Sequence, residues 1–332
     1  MSGKVKVGLI GAGRIGQVHA ASIAENREVE FAYIADVFVD GAKNLAAKYD
    51  TKFTADPLEL INSNEVDAVV VCSPTATHID LIDACINAGK HVMCEKPIDL
   101  DITRVDALVS KVKEAKNQIA LGFNRRFDPN FAAIQARVAN GEIGNLEQLI
   151  IISRDPAPAP REYIEVSGGI FRDMTIHDFD MARFFVPEIV EVTARGANSF
   201  SDYIEEVGDY DSVNVVLRGK NNELITIVNS RHASFGYDQR IEAFGSLGML
   251  TASNQLPTTV RAFSATQTEV ADPYLNFFLE RYSLAYRQEL KDFVTGIQTG
   301  QPTNPTYEDG RQALILADAA LESAKTGKSV LL

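Results

Sequence analysis

Short apolar runs alternate with amphipathic stretches through the first third of the chain. Continuous Val, Ile and Leu runs separated by residues at helical spacing are typical of parallel strands buried on both faces. The pattern predicts a doubly wound α/β domain over residues 1–122, a Rossmann fold. Its predicted strands are VKVGLI (5–10), EFAYIADV (30–37), DAVVVCS (67–73), HVMCEK (91–96) and QIALGF (118–123).

The pattern changes after residue 122. A helix-like stretch over 128–141 is followed by alternating runs such as LEQLIIISR, SVNVVLR, ELITIVNS and QRIEAFGS, separated by turn residues. Alternation with period two indicates strands with one covered face. The stretch RDMTIHDFDMARFF among them, and segments near 276–299 and 307–326, are predicted helices. Residues 123–332 are therefore expected to form an α+β domain with one open, mostly antiparallel sheet.

Length, charge and hydropathy limit the classes of function that this chain can have. A chain of 332 residues with 45% hydrophobic residues is long enough for two domains. Its net charge of -13 argues against nucleic acid and anionic membranes as partners. No apolar run approaches the roughly 18 residues of a membrane-spanning helix.

The cysteines and histidines add two expectations. Cys72, Cys85 and Cys94 lie in apolar surroundings without CxxC spacing, so buried thiols and a cytoplasmic location are expected. The N-terminus also lacks the layout of a signal peptide. The five histidines are scattered, and no metal site is expected.

The stretch VGLIGAGRIG contains the spacing G-x-G-x-x-G at Gly11, Gly13 and Gly16. A predicted strand precedes it and the amphipathic stretch QVHAASIAEN follows, which is the context that dinucleotide binding requires. Gly11 permits a tight turn, Gly13 lets the backbone approach a pyrophosphate, and Gly16 allows close helix–strand packing. The phosphates would rest on free N–H groups at the helix N-terminus. A mere tight turn is the alternative interpretation.

Asp36, twenty residues after Gly16, ends the second predicted strand. A carboxylate there would accept hydrogen bonds from the adenosine ribose and repel a 2′-phosphate. No arginine is adjacent to neutralise such a phosphate, so NAD is expected rather than NADP. The alternative is a solvated aspartate in a turn.

Lys96 ends the fifth predicted strand in the sequence CEKP. Ligands of doubly wound sheets bind at the carboxyl ends of the strands, so Lys96 is expected in the cofactor crevice. An ordinary surface lysine before a turn is the alternative.

Asp173 and His177 are four residues apart in the predicted helix, so they share a face. A histidine can take the hydroxyl proton of an alcohol near neutral pH, and a carboxylate can stabilise the resulting imidazolium. The alternative is an exposed Asp–His pair without a catalytic role.

Four motifs, in this order and spacing, resemble the glucose–fructose oxidoreductase and inositol dehydrogenase family: VGLIGAGRIG, CEKP, GFNRRFD and GGIFRDMTIHDFD. The resemblance covers nearly the whole chain. Within the family, SRDPAPAP, SGGIFRDMTIHDFDMARFF and FFLERYSLAYRQEL are most similar to inositol 2-dehydrogenases.

The resemblance implies roles for individual residues. His177 would be the general base, Lys96 would orient the reacting hydroxyl, and Asp173 would be coupled to both. Contacts to NAD are expected from Gly11, Gly13, Arg14, Ile15, Gly16, Asp36, Ser73, Thr75, His78, Glu95 and Lys96. Substrate contacts are expected from Asn124, Arg125, Asp155, Tyr237 and Tyr282.

Several of these assignments have alternatives. Arg125 and Arg126 could form an interdomain salt bridge, and the two tyrosines could belong to the core. At Asp155, related inositol dehydrogenases often carry an amide or a histidine, so this departure leaves the preferred stereoisomer open.

The expected activity is oxidation of a secondary hydroxyl of a cyclic polyol, with myo-inositol at C2 favoured. Other inositols or sugars, such as scyllo-inositol, glucose or an anhydro-sugar, are the rival substrates. A non-catalytic NAD-binding sensor is a second class, but Lys96, Asp173 and His177 are all present, which argues against it. A protein that recycles bound cofactor between two sugars would typically carry an export signal. The resemblance also implies a homotetramer.

Overall fold

The first sheet contains six parallel strands, in an order that follows the chain outward from its centre in both directions. The computed structural model describes residues 3–332. The strands are β1 (Val5–Ile10), β2 (Val29–Ala35), β3 (Lys52–Thr54), β4 (Ala68–Val71), β5 (His91–Glu95) and β6 (Ile119–Gly122). The order β3-β2-β1-β4-β5-β6 is that of a dinucleotide-binding Rossmann domain, and the predicted fold class is confirmed.

Helices connect these strands. They are α1 (Arg14–Glu25), α2 (Val39–Tyr49), α3 (Pro57–Asn62), α4 (His78–Asn87) and α5 (Ile102–Glu114). Short 3-10 turns lie at Thr75–Thr77 and Asn124–Phe127. The start of α5 follows from its sequence, because the Asp101 side chain caps it by accepting from the Thr103 N–H at 2.8 Å.

The second sheet is mixed, with seven strands. They are β7 (Leu146–Arg154), β8 (Ile189–Ala197), β9 (Ser212–Gly219), β10 (Leu224–Ser230), β11 (Asp238–Gly245), β12 (Gly248–Ala252) and β15 (Val330–Leu331). The order is β12-β11-β7-β10-β9-β8-β15. Only β10 and β7 pair in parallel, and every other pair is antiparallel, as expected for most of this sheet.

Helices and a small hairpin accompany this sheet. The helices are α6 (Pro129–Ala139), α7 (Arg161–Ile164), α8 (Ile170–Asp173), α9 (Thr175–Phe185), α10 (Asp202–Glu206), α11 (Phe278–Arg281), α12 (Ser283–Thr299) and α13 (Tyr307–Thr326). The hairpin consists of β13 (Arg261–Ala262) and β14 (Val270–Ala271). The predicted helix over RDMTIHDFDMARFF is thus two helices, α8 and α9, that meet at Met174.

The chain forms two compact units that do not coincide with two continuous segments. The first unit contains residues 3–127 and Leu284–Leu314, and the second contains Asp128–Ser283 and Ile315–Leu332. The late helix α12 therefore completes the core of the first unit. Its apolar side chains Leu290, Phe293, Val294 and Ile297 are buried in the same cluster as those of β1.

The three cysteines are buried as free thiols, as predicted. Burial raises the pKa of each thiol, to about 12 for Cys85 and well above the usual value for Cys72 and Cys94. Protonated, enclosed thiols are poor nucleophiles, so these side chains act as small core residues.

Candidate active site

The glycine turn between β1 and α1 is built so that two of its positions accept only glycine. Gly11 has φ +99°, and a Cβ there would lie 2.6 Å from the carbonyl carbon and oxygen of Cys72. A Cβ on Gly16 would lie 1.9 Å from the Gly11 carbonyl oxygen. Because both residues lack a side chain, the turn can lie against the end of β4 and α1 can lie close to the turn.

Gly13 has a different environment. It is the N-cap of α1, and no heavy atom lies within 4 Å of the position that a Cβ would occupy. Among the described residues, no side chain caps this helix, which begins at Arg14 and continues through Ile15. The first N–H groups of α1 are thus available to an anion, with open space in front of them. This geometry fits the pyrophosphate of a dinucleotide.

Asp36 follows β2 directly and fixes the turn from the other side. One carboxylate oxygen accepts from the Ala12 N–H at 2.7 Å, and the other accepts from the Phe38 N–H at 2.8 Å. Each oxygen keeps a second lone pair for a ribose hydroxyl. The next residues, Val37 and Phe38, are exposed apolar side chains. Asp36 and these two neighbours therefore fit the uncharged ribose of NAD, since neither Val37 nor Phe38 could neutralise a 2′-phosphate.

The loop after β4 carries Ser73, Thr75 and His78. The Ser73 hydroxyl lies 2.6 Å from that of Thr77, within the turn that leads into α4. The His78 side chain is only 1% exposed, and its two ring nitrogens lie against the backbone oxygens of Ser73 and Pro97. Both ring nitrogens therefore face the protein, and a cofactor contact from His78 stays a prediction. Contacts from Ser73 and Thr75 stay predictions.

Glu95 and Lys96 lie where β5 ends. The Glu95 carboxylate is 2.7 Å from Nε2 of the buried His19, whose ring packs edge-on against Tyr286 at 5.3 Å. Glu95 therefore anchors β5 to α1 and α12. Lys96 is half-buried at the carboxyl end of β5, followed by a cis peptide bond to Pro97. This is the edge of the sheet at which the glycine turn also lies.

The motif GFNRRFD follows β6 in the first unit. Asn124 and Arg125 are both buried. The neighbouring Arg126 donates to Asp309 at 3.1 Å, within the same unit. Arg126 thus forms an ion pair within the first unit. A substrate contact from Asn124 or Arg125 stays a prediction.

In the second unit, Asp173 is held by two side chains that the sequence did not single out. Asp173 ends α8, and His177 lies in the first turn of α9. The Tyr163 hydroxyl donates to one oxygen of Asp173 at 2.8 Å, and Arg231 donates to the other at 3.3 Å. Arg231 also donates to Asp209 at 3.2 Å. The break between α8 and α9 leaves Asp173 at a helix end, where both donors reach it.

The electrostatics of this cluster concern the two donors that face Asp173. Burial alone would lower the pKa of Arg231, but Asp173, Asp209 and Asp155 outweigh it and hold that pKa above its usual value. Desolvation and the charge of Asp173 raise the pKa of Tyr163. A permanent cation and a protonated phenol therefore face the carboxylate of Asp173. Asp155, half-buried beyond the end of β7, belongs to the same electrostatic cluster.

The two tyrosines predicted to contact substrate lie in the core of the second unit. Tyr282 is 1% exposed, and its hydroxyl lies 3.0 Å from the amide oxygen of the buried Gln239. Tyr237 is also buried and packs edge-on against Tyr282 and Phe277. The burial of Tyr237 and Tyr282 agrees with the alternative of core packing, and their substrate contacts stay predictions.

Two kinds of feature are absent from the described residues. Across residues 3–332, no helix combines the length and apolarity needed to cross a membrane. In the same part of the chain, no three His, Cys, Asp or Glu side chains are grouped so that they could hold a metal ion.

The fold and the glycine cradle define a nicotinamide-dependent oxidoreductase, and comparison with known proteins identifies its family. Residues 5–123 match the oxidoreductase family with an NAD-binding Rossmann fold, and residues 131–251 match the GFO/IDH/MocA C-terminal domain. The chain belongs to this family, as the four motifs indicated. Its cofactor is NAD.

Similar proteins cover the whole chain. An inositol 2-dehydrogenase of Rhizobium meliloti is 44% identical over 328 residues, which is 98% of each chain. A myo-inositol 2-dehydrogenase of Thermotoga maritima is 46% identical over 330 residues, covering 99% of this chain and 98% of its own. The crystal structure of a myo-inositol dehydrogenase from Corynebacterium glutamicum has 60% identity and a TM-score of 0.97, with 99% of both chains covered.

Proposed function

We propose that this protein is an inositol 2-dehydrogenase, which oxidises the C2 hydroxyl of myo-inositol to a ketone with NAD. The observation that carries the proposal is the buried Arg231, which together with Tyr163 holds the Asp173 carboxylate four residues before His177. This polar cluster occurs in a chain whose full-length relatives are inositol dehydrogenases. A small polyhydroxylated ring is the substrate that such a site would bind.

The proposed mechanism divides one oxidation among three side chains. His177 accepts the hydroxyl proton, and Asp173 stabilises the imidazolium that forms. Lys96 donates a hydrogen bond to the substrate oxygen, which stabilises negative charge as the proton leaves. The glycine turn and Asp36 would hold NAD, which when bound would supply the acceptor for the hydride of the same carbon. The products are the ketone, NADH and one proton.

The activity is tested by NAD reduction with purified protein, in parallel with myo-inositol, scyllo-inositol, chiro-inositol and glucose. Turnover is expected to be strongest with myo-inositol. NADP should support much less turnover, because Asp36 repels the 2′-phosphate. A preference for another ring would move the assignment to a sister activity, with Asp155 as the first residue to exchange. No turnover on any of the four would contradict the proposal.

Two substitutions test the catalytic roles. His177→Ala and Lys96→Met should each lower kcat by about 10²-fold or more while the protein still binds NAD. His232→Ala is a matched control, since that histidine belongs to none of the clusters described above. A Lys96→Met protein with full turnover would refute the mechanism.

We also propose that the open face of the second sheet joins copies of the chain into a homotetramer. Its outward positions carry partly or fully exposed apolar residues: Ile150, Ile152, Val216, Val228, Phe244 and Met249. Ile152 pairs with Val228 and Phe244 pairs with Met249 on neighbouring strands, and exposed apolar pairs of this kind favour association. Light scattering should give the mass of four chains, and Val216→Glu should reduce it. A monomeric wild-type protein would exclude this arrangement.

The free, buried cysteines also support a cytoplasmic location. Fractionation of the native cells tests it.

A further inference from the structure

His78 is enclosed in the first unit with a backbone oxygen at each of its ring nitrogens. Nδ1 lies 2.7 Å from the carbonyl oxygen of Pro97, and Nε2 lies 2.8 Å from that of Ser73. Both distances are those of normal hydrogen bonds. Because the side chain is almost fully buried, water does not replace either partner.

Carbonyl oxygens have no hydrogen to donate, so each ring nitrogen must donate one. A neutral imidazole carries a single N–H, whereas the imidazolium carries two. With a neutral ring, one of the two contacts would bring two lone pairs together. Turning the ring over would place C–H groups at the same short distances, whereas C–H···O contacts normally measure about 3.3–3.6 Å. The geometry therefore requires both N–H groups.

We infer that His78 is an imidazolium that clamps the loop 73–77 to the peptide immediately after Lys96. It acts as a positioning residue: it fixes the carbonyl of Pro97, and through the Lys96–Pro97 peptide it fixes the backbone from which Lys96 projects. The consequence for turnover rests on the proposed function of Lys96, whereas the charge of the ring does not.

The charges on the surrounding elements are compatible with an added cation. The loop 73–77 has no charged residue. Arg104 on α5 donates to Asp99, two residues after Pro97, at 2.7 Å, and to Asp80 on the first turn of α4 at 2.8 Å. Two carboxylates against one guanidinium leave one negative charge. Lys96 is a further cation on the segment after β5, and the two charge-assisted bonds of His78 must offset its proximity.

His91 provides an internal reference with the opposite arrangement. Its Nδ1 accepts a hydrogen bond from the Gln118 N–H at 2.9 Å, so this nitrogen carries no hydrogen. Burial lowers the pKa of His91, which keeps the ring neutral. One chain thus offers a histidine with two expected ring N–H groups and a histidine with one.

The test is nitrogen NMR of the full chain labelled with 15N-histidine, at pH 7.5, with and without NAD. His78 should show two protonated ring nitrogens, and His91 one protonated and one bare. Loss of one set of signals in His78→Gln assigns the resonances. A bare nitrogen on His78 would overturn the inference.

Kinetics test the positioning role. His78→Gln retains N–H donors on one atom and can serve one carbonyl, whereas His78→Leu serves neither. We expect kcat to fall by about tenfold in the glutamine variant and further in the leucine variant, with a smaller change in the Kd for NAD. Unchanged kcat in both variants would refute positioning. A wild-type protein without polyol turnover would refute the proposed function instead, and the NMR result would still decide the charge of His78.

Discussion

Arg231 offers the sharpest test of the Asp173 cluster, through the substitution Arg231→Met. The arginine is 1% exposed and bridges Asp173 and Asp209, whose side chains are 13% and 10% exposed. Removing one partner of a buried ion pair typically costs about 3–5 kcal/mol. Both pairs are long, at 3.2–3.3 Å, and each carboxylate keeps a second donor, Tyr163 or the Ile170 N–H. We therefore expect a loss near the lower limit, about 3 kcal/mol.

Two assays measure this effect. At about 2 °C per kcal/mol for a chain of this size, the melting temperature should fall by about 6 °C. The kcat should also fall, by about tenfold, because Asp173 loses one of the two donors that hold its carboxylate. Thermal unfolding followed by circular dichroism and NAD reduction at a single pH provide the two readouts.

The controls separate charge from size. Arg240→Met removes an exposed arginine from Asp238, which keeps Arg154 and Asn254 as donors, so about 1 kcal/mol or less is expected. Arg231→Lys keeps the charge without the two-pronged geometry and should fall between the two methionine variants. If Arg231→Met and Arg240→Met behaved alike in both assays, the cluster would have no special role and our reasoning would be refuted.

Two further outcomes follow from the first unit. Gly16→Ala should destabilise the fold by about 1–3 kcal/mol, because the added Cβ would meet the Gly11 carbonyl oxygen. Gly13→Ala should change the free energy of unfolding by about 1 kcal/mol or less, because the position of its Cβ is open. The same variant should raise the Kd for NAD at least about tenfold. Calorimetry of both variants checks this, and equal stability losses would contradict it. Burial lowers the pKa of His91 in the folded protein below its value of about 6.5 in the unfolded chain. The contribution of the neutral ring to the free energy of unfolding is therefore complete above about pH 6.5 and is lost as the pH falls through the folded pKa. Urea unfolding at pH 7.5 and 5.5 should show a larger acid-induced loss for wild type than for His91→Gln, and equal losses would exclude the assignment.

The elements that the sequence predicted well are those with strong local patterns. The run VKVGLI coincides with β1, and the glycine turn and Asp36 lie where their spacing indicated. The strand β3 and the helix α3 were not predicted. The strand has three residues at the sheet edge, too few to show a hydrophobic period, and the helix has only six. The break between α8 and α9 occurs at Met174 without a proline or glycine, so no residue announces it.

The hydrogen-bond partners of Asp173 could not be predicted from the neighbouring sequence. Arg231 is 58 residues from Asp173 in the chain and Tyr163 is 10, and only the fold brings them together. An arginine after a strand and a tyrosine in a short helix have no distinctive spacing. For His78 the sequence indicated the motif but not the orientation of the side chain. The ring orientation depends on the packing of the loop against the segment after β5.

The location of α12 has a consequence for how the chain acquires its structure during synthesis. All six strands of the first unit have been synthesised once residue 122 has left the ribosome. The core of this unit is still incomplete then, because it also contains Leu290 and Phe293. At about 5–20 residues per second, roughly 8 to 34 seconds separate the last strand from Leu290 in this helix. Throughout that interval the nascent unit presents an apolar surface with no native cover, while the second unit is being made. This surface is where a chaperone would bind the growing chain, and a fragment ending at residue 127 would carry the same exposed surface permanently.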